Sequence, residues 1–217
     1  MGVIRAKFAR GMETRCWTQQ EFLDSIHRAL EACAAPVVRS AGQRGRFRMM
    51  AGPPLSLGYI SRCEYIDFDM AEALTAAALG ARLRPCLPSG VTLLWLRRLP
   101  AQALGIKAAV RGFTYRVGGA FSPARVAAFR AAPTWPWVRK KPGGERILDL
   151  KKSVARLEAF PDELWMDIVV REEGTPKPTE VLAAVFTVAE DAMHEWVMER
   201  IAMRFAPEFR PGHGTGS

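Results

Sequence analysis

The order of strand-like and helix-like segments is the feature that most constrains how this chain can fold. Residues 3–8 have the composition of a strand, and the Thr-x-x-Glu capping box at Thr18–Glu21 predicts that a helix begins there. Apolar residues then recur at helical spacing. An extended segment, a strand, an Ala/Leu-rich helix and a further strand follow, over residues 36–40, 64–69, 71–83 and 91–99. This β-α-β-β-α-β order is the ferredoxin-like pattern.

The second half of the chain repeats this order more loosely, with one extra strand. Ser122 followed by Pro123 is a typical helix start, and residues 178–195 predict another helix. Strand-like segments lie before, between and after these two helices. The sequence therefore predicts an α+β protein built from two ferredoxin-like halves in tandem. The halves are expected over residues 1–105 and 106–205, with a flexible tail over 206–217.

The balance of charge narrows the choice of partners. The chain has 217 residues, with 31 lysines and arginines against 22 aspartates and glutamates, which gives a formal charge of +9. A surface this basic favours an anionic partner, such as RNA, DNA, a phosphorylated cofactor or an acidic protein. Hydrophobic residues make up 49% of the chain, which excludes wholesale disorder.

The segment 39–48 is the first candidate binding site. Its candidate residues are Arg39, Arg44, Arg46, Phe47 and Arg48. In a glycine-bearing loop, backbone N–H groups can approach phosphates while guanidinium groups form paired hydrogen bonds with them. The phenylalanine ring can stack on an unpaired base. The alternative is a solvated loop with the ring packed beneath it.

A second basic and aromatic cluster lies in the other half of the chain. Its tryptophans are Trp135 and Trp137, and its candidate binding residues are Arg139, Lys140 and Lys141. Aromatic side chains next to cations suit single-stranded nucleic acid. The alternative is that the tryptophans alternate along a strand and pack inward.

The sequence carries no signature of metal or covalent chemistry. The four cysteines are far apart, with no Cys-x-x-Cys pair, and the three histidines are isolated. No glycine-rich dinucleotide motif, Walker loop, Ser-His-Asp order or His-Glu-x-x-His occurs. We therefore expect no metal and no cofactor. Asp67 and Asp69 share one face of a strand and would suit a metal ion, although a solvent-facing pair is the simpler interpretation.

Several blocks of sequence resemble the radical-SAM-linked protein family, and the resemblance covers most of residues 3–195. The matching blocks in the first half are Arg5-Ala6-Lys7-Phe8, Arg28-Ala29-Leu30, Pro36-Val37, Ser40-Ala41-Gly42, Pro54-Leu55-Ser56-Leu57-Gly58 and Glu64-Tyr65-Ile66-Asp67. Those in the second half are Thr134-Trp135-Pro136, Lys140-Lys141, Asp149-Leu150 and residues 174–182. Members of this bacterial family are fused to, or encoded beside, radical SAM proteins that often carry a cobalamin-binding domain. The resemblance implies that a radical SAM enzyme is a partner.

Two departures from the family pattern affect the expected chemistry. The family usually begins its first helix with Ser-His-Leu-Asp, where this chain has Thr18-Gln19-Gln20-Glu21. It then usually has Gly-Phe-Asn-Pro-His-Pro, where this chain has Gly42-Gln43-Arg44-Gly45-Arg46-Phe47. Any acid–base or metal chemistry of those two histidines is lost here.

These observations predict a non-catalytic accessory protein that recognises a substrate, such as a tRNA-like RNA, for a radical SAM enzyme. One alternative is an RNA-modifying enzyme, whose acid would be Asp67 or Asp24. Another is a protein-interaction subunit whose positive surface meets an acidic partner. No apolar segment has the length of a membrane span, and no apolar stretch follows the basic residues of the N-terminus as in a signal peptide, so we expect a cytoplasmic protein.

Overall fold

The structure is a computed structural model, and it describes residues 2–41, 45–141, 144–189, 193 and 196–207. The chain divides into two units. The first comprises Met1–Val110 together with the C-terminal segment from Phe205, and the second comprises Arg111–Arg204. Both units are α+β. Among the described residues, no helix is long and apolar enough to cross a membrane.

The first unit contains the expected β-α-β-β-α-β order. Its elements are β1 (Gly2–Arg10), a 3-10 turn (Met12–Thr14), α1 (Gln19–Ala32), β2 (Met49–Ala51), β3 (Tyr59–Met70), α2 (Ala76–Leu83), a second 3-10 turn (Arg84–Cys86), β4 (Val91–Arg98) and α3 (Ile106–Ala109). The strands lie in the order β4-β1-β3-β2, and each neighbouring pair is antiparallel. β1 is therefore a central strand.

The core of the first unit lies on one face of this sheet. Side chains alternate across a strand, so Ile4, Ala6 and Phe8 of β1 share that face. They are fully buried against the apolar sides of α1 and α2. The same alternation places Arg5 and Lys7 on the opposite face, away from these two helices.

Two elements of the first unit differ from the sequence-based prediction. The strand expected at 36–40 forms only isolated bridges through Val37 and Arg39, and β2 instead begins at Met49. The helix expected from Ala71 begins five residues later, because the Thr75 hydroxyl accepts a hydrogen bond from the Ala78 N–H at 3.1 Å and caps the helix there.

The capping box of α1 is confirmed, and it predicts a measurable effect on stability. The Glu21 N–H donates to the Thr18 hydroxyl at 3.2 Å, and the Glu21 carboxylate accepts from the Thr18 N–H at 2.7 Å. The hydrogen bonds that the Glu21 carboxylate accepts from the Thr18 N–H and from the Thr18 hydroxyl lower the pKa of Glu21. We expect Thr18→Ala to lower the free energy of unfolding by about 1 kcal/mol. Thr18→Ser keeps the oxygen and should change it little, as urea denaturation would show; equal losses in both variants would exclude the cap as the cause.

The second unit contains more strands than expected. Its elements are β5 (Val110–Gly118), α4 (Pro123–Ala131), β6 (Pro136–Lys141), β7 (Gly144–Asp149), α5 (Leu150–Ser153), β8 (Val154–Ala159), β9 (Glu163–Val169), α6 (Pro178–Phe186) and β10 (Met198–Phe205). The strands lie in the order β10-β5-β9-β8, while β6 and β7 form a separate antiparallel hairpin.

One side-chain hydrogen bond and one left-handed residue explain why the second unit departs from the prediction. The segment 145–154 reads as one strand, but the Asp149 carboxylate accepts from the Lys151 N–H at 3.1 Å and starts the short helix α5, which separates β7 from β8. The helix expected over 178–195 ends at Phe186, where Thr187 adopts a left-handed conformation with φ of 58°.

Candidate nucleic-acid interface

The first sheet brings basic and aromatic side chains together on the face away from α1 and α2. The register of β1 with β3 places Arg5 beside Asp67 and Lys7 beside Tyr65. The register of β1 with β4 places the same two residues beside Arg97 and Trp95. We call these six residues the basic–aromatic face: Arg5, Lys7, Tyr65, Asp67, Trp95 and Arg97.

One row of this face is aromatic and cationic. The Tyr65 and Trp95 rings meet edge to face at 5.7 Å between centroids. The Arg97 guanidinium lies 4.6 Å from the Trp95 ring, and the Lys7 ammonium lies 5.7 Å from the Tyr65 ring. Lys7, Trp95 and Arg97 are partly exposed, whereas Tyr65 is buried. A ligand on this face would therefore contact the three partly exposed side chains first.

The environment of Tyr65 keeps its hydroxyl neutral. Phe205 packs edge-on against its ring at 5.3 Å between centroids. Burial raises the pKa of Tyr65 far above the physiological range. The residue therefore supports Trp95 as a rigid apolar body and carries no charge.

The other row contains a buried ion pair. The Arg5 side chain donates two hydrogen bonds to the Asp67 carboxylate, at 2.7 and 2.8 Å, and a third to the Leu104 carbonyl at 3.0 Å. Arg5 is 1% exposed and Asp67 is 7% exposed. This paired geometry fixes the position of the carboxylate. The expected half-buried strand at 64–69 is instead almost wholly buried, and the pairing with Arg5 compensates the buried charge of Asp67.

A cavity of about 310 Å³ lies beside this pair. Asp67, Asp69 and Arg98 contribute its polar lining, and Met50, Leu99 and Pro100 contribute apolar walls. Its volume is at the lower end of the range for small-ligand sites, about 300–1,000 Å³. The cavity and the basic–aromatic face share one residue, the buried Asp67.

The described arginines of the segment 39–48 are each paired with a carboxylate. Arg39 lies 3.3 Å from a Glu31 oxygen, and its guanidinium also donates to the Gly45 carbonyl at 2.5 Å. Arg46 pairs with Asp24, and Arg48 lies 3.3 Å from Asp69. All three arginines remain substantially exposed, so these pairs contribute little to stability and leave guanidinium groups accessible to an anion. Arg44 lies outside the described residues.

Phe47 does not present its ring to a base. It is 7% exposed and belongs to the hydrophobic core of the first unit. The His27 ring packs on it at 4.8 Å between centroids, and the Arg39 guanidinium lies 4.2 Å from its ring. This is the arrangement of the alternative interpretation, a ring packed beneath the loop, and stacking of Phe47 on an unpaired base stays a prediction. Burying an aromatic ring is more favourable in free energy than leaving it exposed in a polar loop.

In the second cluster, Arg139 has a structural role. It donates two hydrogen bonds to the Glu180 carboxylate, at 2.6 and 2.5 Å, and one to the Thr175 carbonyl at 2.8 Å. These hydrogen bonds connect the β6–β7 hairpin to the first turn of α6 and to the segment before it. Burial would raise the pKa of Glu180, but the hydrogen bonds from Arg139 and the Lys177 N–H outweigh it and lower the pKa.

The neighbours of Arg139 are placed differently. The Lys140 side chain is 84% exposed, and Lys141 is the last residue of β6, with its side chain outside the description. Trp135 packs inward on Phe129, and its indole N–H donates to the Ala184 carbonyl at 3.2 Å. Of this cluster, Lys140 is the residue that the described structure leaves open to a ligand.

The carboxylates considered for catalysis or metal binding are held by arginines. Asp67 is fixed by Arg5, Asp69 pairs with Arg48, and Asp24 pairs with Arg46. Within the part of the chain that the structure describes, no three His, Cys, Asp or Glu side chains are grouped so that they could hold a metal ion.

Sequence reasoning missed Lys7, Trp95 and Arg97 as a group. A signal was present, since charged residues alternate with apolar ones through β1, and Trp95 and Arg97 are two residues apart in β4. Their convergence depends on the pairing register, which one sequence does not show.

Comparison with known proteins indicates the family of the chain. No curated protein matches the chain. The model of a family described as uncharacterised proteins conserved in bacteria matches residues 4–182. The matched region runs from β1 into α6 and includes both the basic–aromatic face and the Arg139–Glu180 pair. The chain therefore belongs to this bacterial family, DUF2344.

Proposed function

We propose that the protein is a non-catalytic RNA-recognition subunit and that its basic–aromatic face binds single-stranded RNA. The observation that carries the proposal is the convergence of Lys7, Trp95 and Arg97 on one partly exposed sheet face. Aromatic rings and guanidinium planes stack on unpaired bases, and cations beside them attract the phosphates. The formal charge of +9 supports the same partner at long range.

The topology supports the finer proposal that both units are ferredoxin-like halves in tandem. The first unit has the order β4-β1-β3-β2, and the second has the equivalent order β10-β5-β9-β8. In this scheme the β6–β7 hairpin is an insertion between α4 and β8. Sheets of this kind often bind RNA on the face away from their helices, which supports the function by analogy alone.

Binding to single-stranded RNA tests the proposal. We expect the double variant Trp95→Leu, Arg97→Gln to weaken binding to oligouridine by about tenfold or more, since stacking is worth about 1–3 kcal/mol per base. The slope of log K against log salt should fall by about 0.7 for each phosphate that the variant no longer neutralises. Fluorescence anisotropy over a salt series measures both quantities.

Two matched variants make the test specific. Arg82→Gln removes one charge from α2, which packs on the other face of the first sheet, and should affect binding much less. The double variant Arg46→Gln, Arg48→Gln asks whether the segment 39–48 also contributes. Unchanged affinity and salt slope in the Trp95, Arg97 variant would contradict RNA binding at the basic–aromatic face.

We further propose that this subunit serves a radical SAM enzyme in the cytoplasm, which rests on the sequence resemblance. A structural observation favours a protein-docking role for the β6–β7 hairpin. Val138 and Ile147 lie opposite each other and are 43% and 71% exposed, with Lys140 on the same face. Affinity purification with Ile147→Asp as the comparison should recover a radical SAM protein with the wild type and less with the variant; recovery of none with the wild type would contradict the partnership.

A further inference from the structure

We infer that the protein forms a symmetric dimer in which β8 of one copy pairs with β8 of a second copy. In the strand order β10-β5-β9-β8, β8 comes last, and in the described ranges β9 is its one neighbouring strand. A strand at the end of a sheet has a row of outward backbone N–H and C=O groups that can pair with another chain. The side chains of β8 show that this other chain is a second copy.

The hydrogen-bond pattern indicates which backbone groups of β8 point outward. The Phe160 N–H donates to the Glu163 carbonyl at 2.8 Å and closes the turn between β8 and β9. Hydrogen-bonded pairs alternate along an antiparallel ladder, so Ala159 and Leu157 occupy the positions that do not bond to β9. The Leu157 carbonyl instead accepts a hydrogen bond from the Arg130 side chain at 2.8 Å. The backbone groups of Leu157 and Ala159 therefore face the outer edge.

The sequence of β8 is complementary to itself in the antiparallel direction. Residues 154–159 are Val-Ala-Arg-Leu-Glu-Ala. When Leu157 pairs with the partner's Leu157, Arg156 lies opposite the partner's Glu158, and Glu158 lies opposite the partner's Arg156. Two cross-strand pairs of opposite charge form, and such pairs stabilise a sheet. In the same register, the outward N–H of each Leu157 donates to the carbonyl of the other.

The two charged residues also fix this register. A shift by two residues places Arg156 opposite the partner's Arg156 or, in the other direction, Glu158 opposite the partner's Glu158. Like charges directly opposite each other destabilise a strand pair. A shift by one residue would place outward backbone groups against groups that point toward β9. In the single copy, Arg156 donates to Glu158 at 2.9 and 2.6 Å, and both side chains are 37% exposed, so each is accessible to a partner.

A groove between α4 and β8 supplies a second area of contact. Its volume is about 710 Å³, and Arg130 and Glu158 line it together with six apolar residues, namely Pro123, Val126, Ala127, Ala131, Ala159 and Phe160. The two-fold axis of the paired strands is perpendicular to the sheet, so both α4 helices lie on the same side of it. Pairing therefore brings the two grooves together and covers apolar surface such as the Phe160 ring, which is 44% exposed.

Arg130 covers the edge of β8 in the single copy. Its guanidinium donates to the Leu157 carbonyl and lies 3.5 Å from a Glu158 oxygen, and its side chain is 57% exposed. A charged side chain at a sheet edge limits pairing with unrelated strands. A carbonyl oxygen can accept two hydrogen bonds, so the Leu157 carbonyl can also accept from the partner's Leu157.

Sedimentation velocity of the wild-type protein over a concentration series tests the inference. One strand pair and one pair of grooves make a small interface, so we expect a dissociation constant in the micromolar range. Between micromolar and several hundred micromolar protein, the monomer should be replaced by a dimer. A monomer throughout this series would overturn the inference.

Charge-reversal variants test whether the contact lies on β8. Glu158→Arg places like charges opposite each other twice in one dimer, so the dissociation constant should rise about tenfold or more. The swap Arg156→Glu, Glu158→Arg restores opposite charges and should recover most of the affinity. Glu145→Arg makes the same change of charge at an exposed position of the β6–β7 hairpin and is the matched control. Equal dissociation constants for wild type and Glu158→Arg would overturn the pairing of β8.

Amide hydrogen exchange gives a second measurement, which does not depend on net charge. The N–H of Leu157 faces the outer edge, so its exchange should slow severalfold as the wild-type protein passes from monomer to dimer. The N–H of Glu158 points toward β9 by the same alternation and should change much less. A dimer in which exchange at Leu157 did not slow would also overturn the pairing of β8.

Discussion

Replacing Asp67 with alanine is expected to lower the free energy of unfolding by about 3–5 kcal/mol. The substitution leaves the Arg5 guanidinium, which is 1% exposed, without the carboxylate that accepts two of its hydrogen bonds. Removing one partner of a buried ion pair is far more costly than the pair is stabilising. Urea denaturation followed by tryptophan fluorescence and circular dichroism measures the loss.

A double variant separates the electrostatic cost of losing the Asp67 carboxylate from the cost of losing its packing. Arg5→Met with Asp67→Leu removes both charges and fills similar space, so it should be substantially more stable than Asp67→Ala. Asp69→Asn is the control on the same strand face, and since Asp69 forms an exposed pair with Arg48, it should cost less than about 1 kcal/mol. A loss below about 1 kcal/mol in Asp67→Ala would contradict the importance of the buried pair.

Replacing Arg139 with glutamine is expected to destabilise the second unit by about 2–3 kcal/mol at neutral pH. The variant breaks the paired bonds to Glu180 and the bond to the Thr175 carbonyl, and both charged side chains are mostly buried. Lys140→Gln is the matched control, because its neighbour Glu145 is 4.0 Å away and the lysine is exposed. Its effect should stay within about 0.5 kcal/mol.

The cost of losing Arg139 should depend on pH. The pKa of Glu180 is lowered in the folded protein, so this carboxylate contributes stability above its unfolded-state pKa, and that contribution is lost as the pH falls through the folded-state value. The stability difference between wild type and Arg139→Gln should therefore shrink below about pH 4.5. Denaturation curves at neutral and acidic pH test this, and a difference that grew on acidification would have the wrong sign.

The sequence was informative where the signal is local. The capping box at Thr18 lies within one helical turn, and the order of elements in the first unit follows from periodicity. The prediction of a strand at 36–40 is wrong because this extended segment forms only isolated bridges, through Val37 and Arg39. The boundary between β7 and β8 depends on one hydrogen bond, which the Asp149 carboxylate accepts from the Lys151 N–H. Hydrophobic periodicity does not reveal such a bond.

The site was harder to predict because it depends on contacts distant in sequence. Arg5 and Asp67 are adjacent only through strand register, and so are Lys7 and Trp95. The run of arginines predicts an anion site in the segment 39–48, but charge density alone does not show whether a nearby aromatic ring is exposed. The Phe47 ring is buried because it packs on His27 and on the core of the first unit.

The packing of Phe205 on Tyr65 has a consequence for synthesis on the ribosome. Tyr65 supports Trp95, and the Ala206 N–H donates to the Ala109 carbonyl at 2.8 Å, so the C-terminal segment completes the first unit. At about 5–20 residues per second, β4 emerges about 5–20 s before this segment does. During this interval the nascent first unit lacks Phe205, and the apolar surface of Tyr65 is uncovered. A chaperone or a partner protein has its best opportunity to bind at that stage.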